Sequence, residues 1–401
     1  MEKSIKSNVS WVGFLDWELK NFHGSDYSTN NGSSQNAYLI KEEKIVLIDT
    51  VWTPNRCWFI KNLKNSVDLN KIDYIVINHS ERDHSGALPC LMEHVPKNTP
   101  IYCSAACKNY IEGQYGKKGW AFETVKTGDE LDIGNNKKLI FIDMKMLHWP
   151  DSIATYLTED CILFSNDAFG QHLALQELFA DKADRHILEN EALKYFVNIL
   201  NPYSAILLNK IPEIEKLKID IIAPSHGAVW RENPGQIVEK YKNWATKGST
   251  NENSQITIVY DTMWEGTKNI AHKIADKIYS KNSNIKVNVF NISGNSKSDI
   301  ATQIFKSYAI AVGAPTVYNS IPSNIIGFLE YLKQLKFKNK IAAAFGCYGW
   351  SGESVKILQA KLKESGFNII EPAIKCLWGP KQEDEKNIEE LVNALTAKQL
   401  N

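Results

Sequence analysis

The chain has 401 residues, with 46 basic and 46 acidic side chains and a formal net charge of zero, which gives no electrostatic support for binding nucleic acid or an anionic membrane. Hydrophobic residues make up 43%, enough for two buried cores in a chain longer than one core usually organises. No apolar run reaches the ~18 residues of a membrane span, none follows Met1-Glu2-Lys3-Ser4, and the cysteine count is odd, so a cytoplasmic protein without a leader is expected.

In chain order, the first informative run is residues 72–77, Ile-Asp-Tyr-Ile-Val-Ile, with strand length and β-branched composition. His79-Ser80-Glu81-Arg82-Asp83-His84 comes directly after it, so these residues are expected on a strand-end loop, where a rigid sheet holds reactive groups up to a ligand. Four metal-ligand side chains in six residues point to metal. The order resembles the His-x-His-x-Asp-His signature of metallo-β-lactamase-like hydrolases, with a carboxylate at the second position. Nitrogen-rich sites suit zinc; added carboxylates shift the preference toward iron or manganese and let two metals be bridged. The substitution therefore argues for redox chemistry over hydrolysis.

Three later runs repeat the pattern of an apolar strand ending in one ligand-type residue. Residues 139–143 lead to His148, residues 161–165 to Asp167, and residues 221–225 to His226-Gly227. A lone histidine is more often a loop or core residue; three in this order behind the six-residue motif strengthen one another. Between the second and third, residues 188–200 are expected to be helical.

Residues 244–254 form a polar stretch without apolar periodicity and mark a seam, giving domains 1–250 and 251–401. Beyond it strands are expected at 256–260, 287–291, 308–313 and 341–346, with a shorter fifth at 368–371. Helical patterns lie between them, as at 269–279 and 325–335, and a last helix at 388–398. This alternation implies a doubly wound parallel sheet, flavodoxin-like in arrangement, with ligands at the carboxyl ends of its strands.

The loops at those ends favour flavin mononucleotide (FMN). Thr262, Met263, Trp264, Gly266 and Thr267 open a helix, and hydroxyls with backbone N–H groups at a helix N-terminus make a phosphate cradle. Ala314, Pro315, Thr316, Tyr318 and Asn319 follow the third strand. Gly346, Tyr348, Gly349, Trp350, Ser351 and Gly352 follow the fourth, with glycines that would let backbone approach a flavin edge. Trp264, Tyr348 and Trp350 offer aromatic faces to the ring.

With these motifs the whole chain resembles a flavodiiron protein: an N-terminal metallo-β-lactamase-like αββα sandwich followed by the flavodoxin-like sheet. The resemblance implies that His79, Glu81 and His148 hold one iron, that Asp83, His84 and His226 hold the other, and that Asp167 bridges them. It places His23 and Tyr195 in the substrate pocket, where a surface-loop role for His23 and a core role for Tyr195 are the rivals. One departure is Glu265-Gly266, where the family usually has a serine at position 266 beside small neutral residues.

The activity implied is reduction of O2 to water, of NO to N2O, or of both. A diferrous pair delivers two electrons and a reduced flavin two more, matching the four that O2 needs and exceeding the two for a pair of NO molecules. The family's head-to-tail homodimer, alone or as a dimer of dimers, would bring one subunit's flavin to its partner's irons. Cys57, Cys90, Cys103, Cys107, Cys161, Cys347 and Cys376 contain no Cys-x-x-Cys pair, so no appended rubredoxin-type site is expected and the donor is external. A separate rubredoxin or a reduced deazaflavin would serve. Two other readings stand beside this one: a zinc hydrolase fused to a flavodoxin-like domain, and a binding or sensing protein with a silent metal site.

Overall fold

The computed structural model describes residues 2–250 and 254–397. They fall into two compact units, 2–20 with 29–242, and 21–28 with 243–250 and 254–397.

The first unit is built on two sheets. One has seven strands, in the order Lys3–Lys6, Val9–Trp11, Tyr38–Lys41, Ile45–Ile48, Tyr74–Val76, Ile101–Cys103 and Phe122–Thr124; its first four strands are antiparallel and the rest parallel. The other has five: Glu130–Gly134, Lys137–Asp143, Ile153–Leu157, Ile162–Asn166 and Ile221–Pro224, the last pair parallel. Side chains alternate across a strand, and that alternation decides the layers. Leu39, Leu47 and Ile75 face helices through Phe59, Leu63, Leu88 and Ile111. Tyr38, Ile40, Val46 and Val76 face the second sheet through Phe141, Ile153, Leu157, Ile162 and Phe164. The result is a sandwich of sheets with helices outside, the αββα arrangement.

The second unit is a parallel sheet in the order Lys286–Asn291, Gln255–Tyr260, Ala309–Gly313, Ile341–Tyr348, with Asn368–Ile369 and Ile374–Leu377 both pairing the last of these. This is the flavodoxin-like order, with its switch point between the first and third strands. Ile270, Ile274 and Ile278 on Gly266–Lys281 and Ile388, Leu391 and Leu395 on Glu385–Thr396 cover one face.

Four sequence expectations change. The helix Gly235–Lys247 runs into the expected seam because Tyr241, Trp244 and Ala245 are buried on its inner side, and the break between units falls after Lys242. The fifth strand is in two pieces, the second of which, Ile374–Leu377, has no counterpart among the expected strands. The expected helix at 188–200 is α-helical over Arg185–Tyr195 and widens to a π turn over Phe196–Leu200. Residues 21–28, expected in the first domain, group with the second unit, where Ser28 N donates to Ser298 Oγ at 3.0 Å and Lys297 Nζ pairs with Asp26 at 2.8 Å. The seam at 251–253 and the helix end at Lys398 lie outside the described residues.

Candidate metal centre and flavin loops

The strand Tyr74–Val76 ends in buried Ile77 and Asn78, and Asn78 anchors the ligand-bearing turn to both sheets. Its backbone N–H and Nδ2 donate to the two oxygens of Asp49 at 2.7 and 3.0 Å, while its Oδ1 accepts from Thr155 Oγ1 of the opposite sheet at 2.7 Å. His79 then points inward, and a single helical turn, Arg82–Ser85, buries Asp83 and His84. His148, Asp167 and His226 arrive from the ends of Lys137–Asp143, Ile162–Asn166 and Ile221–Pro224.

All seven converge, as one group of His79, Glu81, His148 and Asp167 and a second of Asp83, His84 and His226. Asp167 divides between them. Its Oδ2 lies 3.4 Å from His148 Nε2 and 3.9 Å from His79 Nε2, and its Oδ1 lies 3.2 Å from His84 Nε2 and 3.5 Å from His226 Nε2. Glu81 Oε2 is 3.3 Å from His79 Nε2 and 3.4 Å from His148 Nε2. Asp83 Oδ2 is 3.1 Å from His84 Nε2 and 3.0 Å from His226 Nε2.

Electrostatics describes a site short of positive charge. Burial works against a charged His79, yet Asp151, Glu81 and Asp167 push its pKa up to about 10; by the same contest Asp167 and Glu81 bring His148 to about 9. Burial alone would raise Asp83 and Asp167, but His84 and its neighbours hold both carboxyls well below the usual range. Asp83 Oδ1, both His84 nitrogens and both Asp167 oxygens are buried without an aligned hydrogen bond among the described residues. Imidazole and carboxylate lone pairs that converge in this way, in two sets sharing one carboxylate, fit a pair of metal ions.

Two residues outside the sequence expectation orient the ligands. Asp151 Oδ1 accepts from His79 Nδ1 at 3.0 Å, and its Oδ2 accepts from Ser80 N at 2.8 Å; His226 Nδ1 donates to Ser34 O at 2.7 Å. Each bond leaves Nε2 to face the centre. His172, fully buried, stacks edgewise on Tyr195 at 5.1 Å and lies 4.8 Å from His226, with Nδ1 2.8 Å from Ser33 Oγ. Tyr195 is therefore beside the centre, 6.2 Å from His226 between ring centroids. His23 is exposed, in a left-handed conformation with φ 53°, on the Asn21–Ser28 hairpin against Phe22 and Tyr27, and is in neither ligand group.

In the second unit the expected loops gather at the carboxyl edge of the sheet. Thr316, Tyr318, Asn319, Gly349, Trp350 and Ser351 line a cleft of 380 Å³. Thr262 Oγ1 is buried with no hydrogen-bond partner among the described residues. Thr267 is fully buried with Oγ1 3.2 Å from Cys347 Sγ. Met263, Trp264, Tyr318 and Trp350 are exposed. Ala314 and Pro315 are buried, and Thr316 N donates to Cys347 O at 2.9 Å, tying the second loop to the third. Gly346 has no room for a side chain against Ala314 O and Ser354 Oγ, and Gly352 has φ +90° beside Lys375 and Tyr348. Glu265 turns away along the helix to pair with Lys268 at 2.7 Å. A Cβ at Gly266 would collide with the carbonyl oxygen of Trp378 and stand 2.9 Å from Cys347 Sγ, so the family's usual serine cannot fit there.

A family model described as ODP family beta lactamase matches residues 33–227, and one described as flavodoxin matches residues 258–391. The anaerobic nitric oxide reductase flavorubredoxin of Vibrio vulnificus is 48% identical over 378 residues, covering 94% of this chain and 76% of its own. Among solved structures, rubredoxin oxygen:oxidoreductase from Desulfovibrio gigas superposes with a TM-score of 0.94 at 33% identity, with 100% of both chains covered. The flavodiiron protein from Giardia intestinalis gives 0.92 at 28% identity, covering 100% of this chain and 97% of its own.

Proposed function

The chain belongs to the flavodiiron protein family, and from that premise we propose that it reduces NO to N2O, O2 to water, or both, with electrons passing through FMN to a di-iron centre. It is an oxidoreductase. The observation that carries the assignment of residues is Asp167, whose two oxygens are shared between the two ligand groups. We assign His79, Glu81 and His148 to one iron and Asp83, His84 and His226 to the other, with Asp167 bridging. When bound, the iron pair supplies two electrons and a place for a diatomic substrate, and FMN supplies two more.

The chain's own residues do the rest. Asp151 and the Ser34 carbonyl hold the ligand rings in the orientation that leaves Nε2 inward. His172 and Tyr195 wall the His226 side, within the hydrogen-bonding and proton-transfer repertoire of a substrate pocket. His23 is retained as a pocket residue on family grounds. For FMN we assign Thr262 and Thr267 to the phosphate, with Met263 and Gly266 in the same loop. Trp264, Tyr348 and Trp350 are assigned to the faces of the ring, and Ala314, Pro315, Thr316, Tyr318, Asn319, Gly346, Gly349, Ser351 and Gly352 to the loops around it.

The donor is a separate rubredoxin or a reduced deazaflavin; the name of the Desulfovibrio gigas neighbour, which pairs rubredoxin with oxygen, supports the former. The cytoplasm is the proposed location: all seven cysteines are free thiols, and no helix is long and apolar enough to cross a membrane among the described residues. A head-to-tail homodimer, or a pair of them, is the proposed assembly, supported by the exposed Met263, Trp264, Tyr318 and Trp350 around the flavin cleft.

Anaerobic purification and then metal and flavin analysis test the reading. Two irons and one FMN per chain, with reductant-dependent consumption of NO or O2, are expected. Zinc without flavin would overturn it in favour of hydrolysis.

A further inference from the structure

Trp378 stands directly after the strand Ile374–Leu377, which runs in register with Tyr348 at its Leu377 end. Three independent features of this residue need an explanation. Its backbone is left-handed, with φ 67°, a conformation that bulky residues avoid and glycine adopts freely. Its indole, a large apolar group, is 66% exposed. And it touches both glycine loops of the flavin site at once.

The contacts are specific. Trp378 N donates to Tyr348 O at 2.8 Å. A Cβ added at Gly349 would stand 2.6 Å from Cη2 and 2.9 Å from Cζ3 of the indole, so the ring lies where a side chain at 349 would be. The carbonyl of the same residue fills the space a Cβ at Gly266 would take. Gly349 lines the cleft beside Thr316 and Trp350, and Gly266 opens the helix at the phosphate end.

A left-handed conformation held by a tryptophan is a strain that the surroundings must sustain, and such strain collects at ligand sites. With Gly379 next in the chain, glycine would satisfy the backbone at 378 without cost; the indole is what glycine would lose.

We infer that Trp378 is a positioning residue for the flavin: it forms a fourth wall beyond the three sequence-evident loops, its carbonyl setting the phosphate loop at Gly266 and its indole setting the ring loop at Gly349. The inference rests on the flavin reading above. It names FMN as the ligand and predicts that residues 349 and 378 are energetically coupled in binding it.

The test is titration of flavin-free, full-length protein with FMN, read by quenching of FMN fluorescence, alongside thermal unfolding of the same flavin-free samples. Trp378→Gly should bind FMN at least about tenfold more weakly. Its unfolding temperature should be unchanged or higher, because glycine relieves the left-handed backbone. A residue that merely stabilised the fold would move both readouts the same way. Gly349→Ala should weaken FMN by a similar factor in the parent chain, yet by less than about twofold when Trp378→Gly has cleared the space. Parent-like FMN affinity in Trp378→Gly, or an equal Gly349→Ala penalty in both backgrounds, would overturn the role of Trp378. Failure of the parent chain itself to bind FMN would remove the flavin reading, and this inference with it.

Discussion

Asp151 acts on the metal centre through His79 and the neighbouring Ser80 backbone, and that makes its role measurable. It is fully buried, accepts from His79 Nδ1 and Ser80 N, and is held below the usual carboxylate range: burial raises it, but His79 and Ser80 outweigh burial. Asp151→Asn keeps the shape and removes the charge that makes His79 a stronger ligand. Metal affinity should fall about 10- to 100-fold, read by competition with a chelator, with the unfolding temperature of the metal-free form lowered as well. Unchanged retention of metal would sink the assignment.

The same residues set a pH dependence for the metal-free protein. His79 and His148 are raised to about 10 and about 9 in the folded chain, against about 6.5 when unfolded. A raised histidine stabilises the fold fully below the unfolded value and loses that contribution as pH climbs through the folded one. Calorimetry of chelator-treated protein should therefore show the unfolding temperature falling between pH 6.5 and 10. Iron-loaded protein, whose imidazoles are held neutral, should not share that fall; a flat profile for the metal-free form would contradict the electrostatic account. The seven converging side chains are legible in the sequence because each comes after an apolar strand. Asp151 carries a weaker signal, three residues beyond His148, and His172 carries almost none, since an isolated histidine after Phe169-Gly170-Gln171 is indistinguishable in sequence from a core residue.

At the scale of elements, the centre depends on how two sheets are tied at their ends. Asn78 is fully buried and joins the end of Tyr74–Val76 to Asp49 after Ile45–Ile48 and to Thr155 on Ile153–Leu157. Asn78→Ala would leave the Thr155 hydroxyl and an Asp49 oxygen buried with a partner lost. The expected cost is about 3 kcal/mol, measured by urea unfolding, with metal content falling because His79 is the next residue in the chain. A loss below about 1 kcal/mol would mean that water replaces the amide. The elements themselves are readable where burial imposes a pattern. Glu130–Gly134 alternates, with Leu131 and Ile133 inward, and Ile162–Asn166 is buried throughout. What escapes a sequence reading is context. Trp244 and Ala245 look like the start of a polar linker until the face of Gly235–Lys247 that buries them is known, and Ile374–Leu377 is short and interrupted by Lys375. Nothing in residues 21–28 announces that Ser28 will bond Ser298 from 270 positions away.

At the scale of the whole molecule, each proposed cofactor site is complete within one unit: the seven ligands lie between residues 79 and 226, the flavin loops beyond residue 261. Two inactive variants can therefore be made independently. Asp167→Ala should lose the metal pair and keep FMN; Gly266→Val should lose FMN, since its Cβ meets the Trp378 carbonyl, and keep the metals. In a head-to-tail dimer a mixed pair joins the intact flavin of one chain to the intact irons of the other. With random exchange about half the dimers are mixed, and each restores one of its two sites, so the mixture should regain about a quarter of parental NO or O2 reduction. Transfer within a single chain predicts none, because every chain in the mixture lacks one cofactor. A mixture as inactive as its components, with subunit exchange verified by mass spectrometry of differently tagged chains, would exclude transfer between subunits and return the electron path to one polypeptide.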